Sequence, residues 1–453
     1  RTLGADTKPV FLSEGGVGSQ FNAVDELRGY DRFGSGKDLV EATMFRQWIE
    51  RFTADLKKFR MEEVYPFPAD FFRNSYRHHT DQRRLLFDLV RSNPQFCGYN
   101  VTGLLDHGIT GEGLWTFWRR WKPGIADVLE DGWSPLRWCL FVDPMHGYAG
   151  RPIQVEAVLA NEDVMPPGDY PACFRIWGPQ GILWEKRATV RMPAAAKRGG
   201  GPPLAVPVLK AKVRLNAPAG EYVLAADLER GGAPTGDRLA FRLSSPQDLP
   251  KGRGTLTTWG IDKRVRTWLE ARGYACRPLD AAARPRGLVL IGDATPDGQW
   301  AARWGAVKRG LDQGGHVLLA SAKPVQAKPE QLPWGEAIKA RRFHDWLYHK
   351  DIVGRRHPVF EGLPAGGILD WSWYGQVGGH SLFDCREAPD EVMAAAFAVG
   401  YSCPGGYDSG VVVGMKKMGK GRLVFSALDV LDHVARHPAA DRLLLNLIRE
   451  AQG

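Results

Sequence analysis

The hydrophobic period of this chain changes twice along its length, and that rules out one uniform fold. Up to about Leu140 strand-like and helix-like spacings follow one another. Between about Phe141 and Ser245 apolar residues alternate with polar ones, and from about Lys251 the strand–helix rhythm returns. At 453 residues the chain also exceeds what a single hydrophobic core organises. The expectation is a multidomain α/β and β protein, with segments 1–140, 141–248 and 249–453.

In the first segment Lys8-Pro9-Val10-Phe11-Leu12-Ser13 reads as a short apolar strand, ended abruptly by Glu14-Gly15-Gly16-Val17-Gly18. A helix is expected to open at Asp38 and to bury Phe45, Trp48, Ile49, Phe52, Leu56 and Phe59. Pro66 and Pro68 break that run. A second helix follows Asp81, turns Leu85, Leu86, Leu89 and Val90 inward, and stops at Asn93-Pro94. Phe96 to Leu105 forms the next strand, closed by Asp106-His107-Gly108. This is the rhythm of a βα barrel or a doubly wound sheet.

In the middle segment Ile153, Val155, Ala157 and Leu159 alternate with polar neighbours, as do Tyr222, Leu224, Ala226 and Leu228. Turn signals at Pro166-Pro167-Gly168-Asp169 and Pro218-Ala219-Gly220-Glu221 separate such runs, which predicts an immunoglobulin-like β-sandwich. Lys197 to Pro203 reads as a flexible surface loop within it. The last segment places buried strands at Leu288–Ile291, His316–Leu319, Val411–Val413 and Leu423–Ser426, and a closing helix from about Pro438 to Ile448. That pattern predicts a small doubly wound α/β domain.

The formal charge of +9 is spread along the chain without a nucleic-acid recognition motif, so no nucleic-acid partner is expected. Six cysteines, far apart and without CxxC spacing, offer neither a zinc site nor a disulfide framework. His78-His79 has no third ligand nearby, and no metal or cofactor is assigned. No apolar run is long enough to span a bilayer, so no membrane partner is expected. The chain opens on Arg without a signal peptide, the expectation for a chain whose beginning is missing.

Chemistry concentrates at Phe11-Leu12-Ser13-Glu14-Gly15-Gly16. In a βα barrel the carboxyl ends of strands carry the catalytic groups, and the glycines let the backbone turn away from the carboxylate. A retaining glycosidase needs such a carboxylate to attack the anomeric carbon and form a glycosyl-enzyme intermediate. A Glu that caps the following helix or pairs with a surface Arg gives the same pattern. Asp106 and His107 close the other strand and are candidates for binding sugar hydroxyls, although a lone strand-end His is commonly structural. Trp115, Trp118 and Trp121 fall at helical spacing, which favours core packing; Trp115, nearest the strand end, is the candidate for stacking on a sugar.

Lys8 to Glu14 resembles the seventh barrel strand of glycoside hydrolase family 2, the β-galactosidase type. There a Lys/Arg-Pro-hydrophobic run leads to Ser/Thr-Glu and then Gly. Gly103-Leu104-Leu105-Asp106, the Trp-rich stretch Trp115–Trp121 and Lys122-Pro123-Gly124 resemble the eighth strand and the exit toward a β-sandwich. The resemblance implies that residues 1–140 are the C-terminal remnant of a (β/α)8 barrel. It implies Glu14 as nucleophile, an oligo- or polysaccharide substrate, and a general acid Asn-Glu in upstream sequence. β-Galactosidase-like activity comes first, with β-mannosidase or β-glucuronidase activity close behind. The family usually has an aromatic residue after the nucleophile, where this chain has Gly15.

Residues 249–453 resemble the glutamine-amidotransferase-like domain of some β-galactosidases, with Ala320-Ser321-Ala322 where amidotransferases place a Cys. Cys403 precedes a strand instead of ending one, and no glycine phosphate loop follows Gly292-Asp293, so a structural or assembly role, and with it a homo-oligomer, is expected. No residue pattern assigns a compartment; the resemblance favours a periplasmic or secreted protein. The rival reading is a non-catalytic carbohydrate-binding or assembly protein on a glycosidase scaffold.

Overall fold

In the computed structural model, residues 8–16, 18–34, 36–107, 110–194, 203–343, 351–400 and 404–453 are described. The chain is a mixed α/β protein with several sheets and a large β content. It divides into two compact units, residues 1–19 with 76–246 and residues 20–75 with 247–453. The three sequence segments do not map onto these units, because residues 20–75 are counted with the C-terminal part of the chain.

In chain order the first elements are β1 (Val10–Gly16), α1 (Ala23–Arg32), α2 (Val40–Lys58), α3 (Pro68–Arg91), β2 (Phe96–Thr102) and α4 (Ile125–Trp133). Helix α2 buries Phe45, Trp48, Phe52 and Leu56, the face expected from its spacing, and Phe59 follows at its end. It begins at Val40 instead of Asp38. The second helix differs more. The run of α2 does not pass Pro66 and Pro68, but α3 already opens at Pro68 instead of after Asp81, since a proline in the first turn gives up an N–H that has no intrahelical partner. Along α3 the buried positions include Phe72, Tyr76, His79, Arg83, Phe87 and Val90, three or four residues apart. That face leaves Leu85 and Leu89, expected inside, 36% and 46% exposed. Helix α1, which the sequence reading missed, is opened by Asn22, whose side chain accepts the Asp25 N–H at 3.1 Å.

In the first unit β1 and β2 form a two-stranded parallel sheet, with no further strand on either edge among the described residues. Eight strands follow: β3 (Leu136–Asp143), β4 (His146–Tyr148), β5 (Pro152–Asn161), β6 (Gly168–Gly178), β7 (Gly181–Met192), β8 (Ala205–Arg214), β9 (Gly220–Leu228) and β10 (Arg238–Ser244). They make a five-stranded sheet, β4-β10-β9-β6-β7, and a three-stranded sheet, β3-β5-β8. Both sheets feed one core, in which Trp138 meets Phe174 edge-on at 5.3 Å among Val155, Leu159, Leu224 and Phe241. Period-2 alternation supplies this inward face, as the sequence reading expected. The first strand starts at Leu136, ahead of the expected boundary, and the loop expected at Lys197–Pro203 lies, apart from Pro203, outside the described residues.

The second unit continues with β11 (Thr255–Trp259), α5 (Lys263–Ala271), β12 (Ala275–Pro278), β13 (Leu288–Ile291), α6 (Trp300–Asp312), β14 (His316–Leu319), α7 (Lys323–Ala327), β15 (Ile338–Arg342), β16 (Asp351–Gly354) and β17 (Gly367–Ile368). After them come α8 (Trp371–Tyr374), β18 (Ser381–Cys385), β19 (Glu391–Val399), β20 (Tyr407–Met418), β21 (Gly421–Ser426), α9 (Val430–His433) and α10 (Pro438–Gln452). Strands β12-β11-β13-β14-β21 are mutually parallel and adjacent in that order. Antiparallel strands then extend the sheet through β20, β19, β16 and β17. Within this unit α2 and the start of α3 pack on the extension. Phe52 lies 5.4 Å from Phe397 at 88° and 5.0 Å from Phe71. The Asp55 carboxylate accepts the hydroxyls of Tyr407 and Ser409 at 2.8 and 2.7 Å.

Candidate functional site

Glu14 lies inside β1, which runs on to Gly16 instead of stopping at Ser13. Leu12 pairs with Tyr99 and Gly15 with Val101, so Ser13 and Glu14 together oppose Asn100. This is a β-bulge, a device that re-aims a side chain and recurs beside active sites. The Glu14 side chain is exposed and forms no hydrogen bond or ion pair with the described residues. Gly16 is required behind it, because an added Cβ would stand 2.9 Å from the Thr102 carbonyl oxygen.

One guanidinium holds the carboxyl ends of both strands. Arg83, fully buried on α3, donates from Nη1 to the Gly15 carbonyl at 2.8 Å. Its Nη2 donates to the carbonyls of Thr102 and Glu112 at 2.7 and 2.9 Å. Its Nε donates to His79 Nε2 at 3.2 Å. Burial first, then the charges of Lys122, Arg83 and His78, keep the His79 pKa well below the usual imidazole range. His79 is therefore a neutral acceptor supporting Arg83, and His78 bonds Gln82 at 2.9 Å.

The other sequence candidates are placed differently from one another. Asp106 is sealed in, 1% exposed, with its carboxylate accepting the Lys122 ammonium and the Gly113 N–H, both at 2.8 Å. Lys122, equally buried, also donates to the Gly111 carbonyl at 2.7 Å and to Ser19 Oγ at 3.1 Å. Burial pushes the Asp106 pKa up to about 6, with Lys122 pulling it back. His107 is exposed, and its Nε2 lies 3.2 Å from Glu112 Oε1. Glu112 thus stands beside His107, its backbone carbonyl held by the same Arg83 that holds the end of β2.

Trp115, Trp118 and Trp121 do not share a helix. Trp115 bridges to Trp121 across a tight turn, the two indoles meeting edge-on at 5.0 Å. Thr116 and Arg120 close that turn, so helical spacing there misled. Trp115 is half-buried with its indole N–H unpaired among the described residues, while Trp121 is 50% exposed.

In the second unit Ser321, at the position of the expected elbow, donates to Asp293 at 2.6 Å, and Lys323 pairs with the other oxygen of that carboxylate. Cys403 lies outside the described residues. His357, Glu391 and Glu450 bring potential metal-ligating atoms within 4.8 Å of one another, a grouping the sequence did not reveal. His357 Nδ1 accepts the Val359 N–H at 3.2 Å, so its proton sits on Nε2 and faces Glu391 at 3.3 Å. That tautomer holds a proton where a metal would need a lone pair. Among the described residues no helix is long and apolar enough to cross a membrane.

No protein-family model matches the chain, and no curated protein matches it. Among solved structures, a CARDB domain from Pyrococcus furiosus is 13% identical with a TM-score of 0.18, over 24% of this chain and 91% of that one. A cycloisomaltooligosaccharide glucanotransferase from Paenibacillus sp. is 12% identical with a TM-score of 0.19, over 40% of this chain and 27% of that one. β-Glucosidase 3B from Thermotoga neapolitana is 16% identical with a TM-score of 0.17, over 25% of this chain and 16% of that one. Similarity of this grade carries no functional argument.

Proposed function

We propose that the chain belongs to a retaining β-glycosidase, β-galactosidase-like in substrate class, with Glu14 as the nucleophile. The observation that carries this reading is the bulge presenting Glu14, exposed and unpaired among the described residues, while Arg83 fixes the backbone behind it. A carboxylate held so can attack an anomeric carbon without first breaking an ion pair. The reading takes β1 and β2 as adjacent strands of a (β/α)8 barrel. Phe11, Leu85, Leu89 and Leu104, 36–56% exposed on or beside them, support it, since a closed barrel would cover such residues. The eight-stranded middle is then immunoglobulin-like. The parallel strand order of the C-terminal sheet is that of a flavodoxin-type domain, here a structural or assembly module.

Retaining chemistry needs a second carboxyl group roughly 5–5.5 Å from the nucleophile to protonate the leaving oxygen. No residue of this chain is assigned that role. A second reading, a non-catalytic carbohydrate-binding or assembly protein, draws support from the sequestration of Asp106 by Lys122. Kinetics on aryl β-glycosides separate the two. In the protein extended upstream to include the expected Asn-Glu, Glu14→Gln should lower kcat by about two to four orders of magnitude or more while the fold persists. Full activity of Glu14→Gln, or no activity in the extended protein, overturns the proposal.

A further inference from the structure

The first unit contains a cavity of about 400 Å³ that the Glu14 reading does not use. Helix α3 contributes Arg84 and Asp88 to its lining, α4 contributes Asp127 and Asp131, and β3 contributes Arg137. The turn into β10 adds Asp237 and Arg238. Its size falls within the range of small-molecule sites, roughly 300–1,000 Å³.

The floor of the cavity is set before any ligand arrives. Arg137 is 1% exposed and donates from Nη1 to Asp88 Oδ1 at 2.6 Å and from Nη2 to Asp131 Oδ2 at 3.0 Å. One buried guanidinium thereby fixes two carboxylates. Thr235 Oγ1 ties the opposite wall to the Asp131 carbonyl at 3.0 Å. Gly236, at φ +66°, presses on the β3 backbone so closely that an added Cβ would stand 2.3 Å from the Trp138 oxygen.

The charges decide the ligand class. Four carboxylates face three guanidiniums, which disfavours phosphates and nucleic acids. A metal is disfavoured as well: among the described residues the ligating atoms that converge are those of His357, Glu391 and Glu450, not these aspartates. A dense, nearly charge-balanced set of donors and acceptors, three of them fixed on one another, suits a neutral molecule rich in hydroxyls. Carboxylates accept from vicinal hydroxyls, guanidiniums donate to sugar oxygens, and Leu140 and Leu239 offer an apolar surface to C–H groups. We infer that this cavity is a saccharide-binding site for one or two sugar rings, separate from Glu14. The choice of a sugar among polyhydroxylated molecules rests on the glycosidase reading; the existence of the site rests on the cavity alone.

The test uses the Glu14→Gln chain, which cannot turn over a glycoside, and reads saturation-transfer NMR and calorimetric titration with lactose and cellobiose. Binding is expected, and Asp127→Ala with Arg238→Ala, both exposed positions, should weaken it about tenfold or more while the melting temperature holds. Absence of binding by both sugars overturns the inference, as does binding that survives both substitutions. Titration with calcium or inorganic phosphate that responds to those substitutions in place of sugar also overturns it. Sugar binding here without glycosidase activity in the extended protein keeps the cavity site and removes the catalytic reading. Activity dependent on Glu14 without sugar in the cavity does the reverse.

Discussion

Arg83 Nη1 donates to the carbonyl oxygen of Gly15 at 2.8 Å, so the backbone directly after Glu14 is anchored by a buried charge. The same side chain reaches the carbonyls of Thr102 and Glu112, and so ties together the ends of two strands that are also paired by their own ladder.

Arg83→Met should therefore cost about 3 kcal/mol or more of stability, because it leaves several buried carbonyls without donors. Arg83→Lys should recover only part of that, since an ammonium lacks the planar fork that spans them. Urea denaturation of both variants measures the difference. A loss below about 0.5 kcal/mol for Arg83→Met would show that these bonds do not hold the strands.

The buried pair Asp106–Lys122 gives a prediction with two directions. Asp106→Asn leaves the Lys122 ammonium buried without its carboxylate counter-charge, a loss of roughly 3–5 kcal/mol. Asp106→Leu with Lys122→Met together should be close to neutral, because the desolvation of both ions is removed at once. Chemical denaturation of the single and double variants reads both values, and a double variant as unstable as the single one contradicts the account.

The pH dependence follows from the same carboxyl. Its pKa in the folded chain is about 6, above the ordinary carboxylate value, because burial outweighs the pull of Lys122. Between about pH 4 and pH 6 the folded state thus holds a proton that the unfolded state has released. This group's contribution favours folding at the low end of that window and is lost as pH rises through it. Asp88, pushed up to about 6 by burial, acts in the same direction. Subtracting the stability of an Asp106→Asn variant from that of the parent across pH 4–7 isolates Asp106, since Lys122, which also bears on His79, is kept. A difference that grows in the parent's favour with rising pH has the wrong sign.

Much of this was legible in the sequence, and what was not has a common cause. The buried face of α2 and the alternating strands of the sandwich follow from local periodicity, which the chain carries openly. Partner choice is not local. Phe52 sits where a helical pattern puts it, but nothing near it in sequence says that Phe397 is its neighbour. Arg83 reads as one solvated charge among many; only three carbonyls converging from distant segments make it a core residue. Asp106 was expected to close a strand that in fact ends at Thr102, and its capture by Lys122 depends on a loop returning across it. Pro68 marks the end of one helical run and also opens the next, because a proline's effect depends on whether it lies in the first turn or the interior.

The packing of residues 20–75 with the C-terminal sheet yields a further expectation. Deleting residues 251–453 removes Phe397 and Tyr407 from Phe52 and leaves the aromatic face of α2 in water. The shortened chain should bind a hydrophobic dye and aggregate, whereas deleting residues 20–75 along with it should relieve both. Equal solubility of the full and the singly shortened chain would mean that α2 is not held by that sheet.

Under the proposed function, the Glu14 carboxylate forms the covalent bond to the sugar. A 2-deoxy-2-fluoro glycoside with a good leaving group traps that bond, and peptide mass spectrometry of the inactivated, upstream-extended protein locates it. One added sugar is expected on the peptide containing Glu14, and none in Glu14→Gln. A label on any other carboxylate, or inactivation without a label on Glu14, contradicts it.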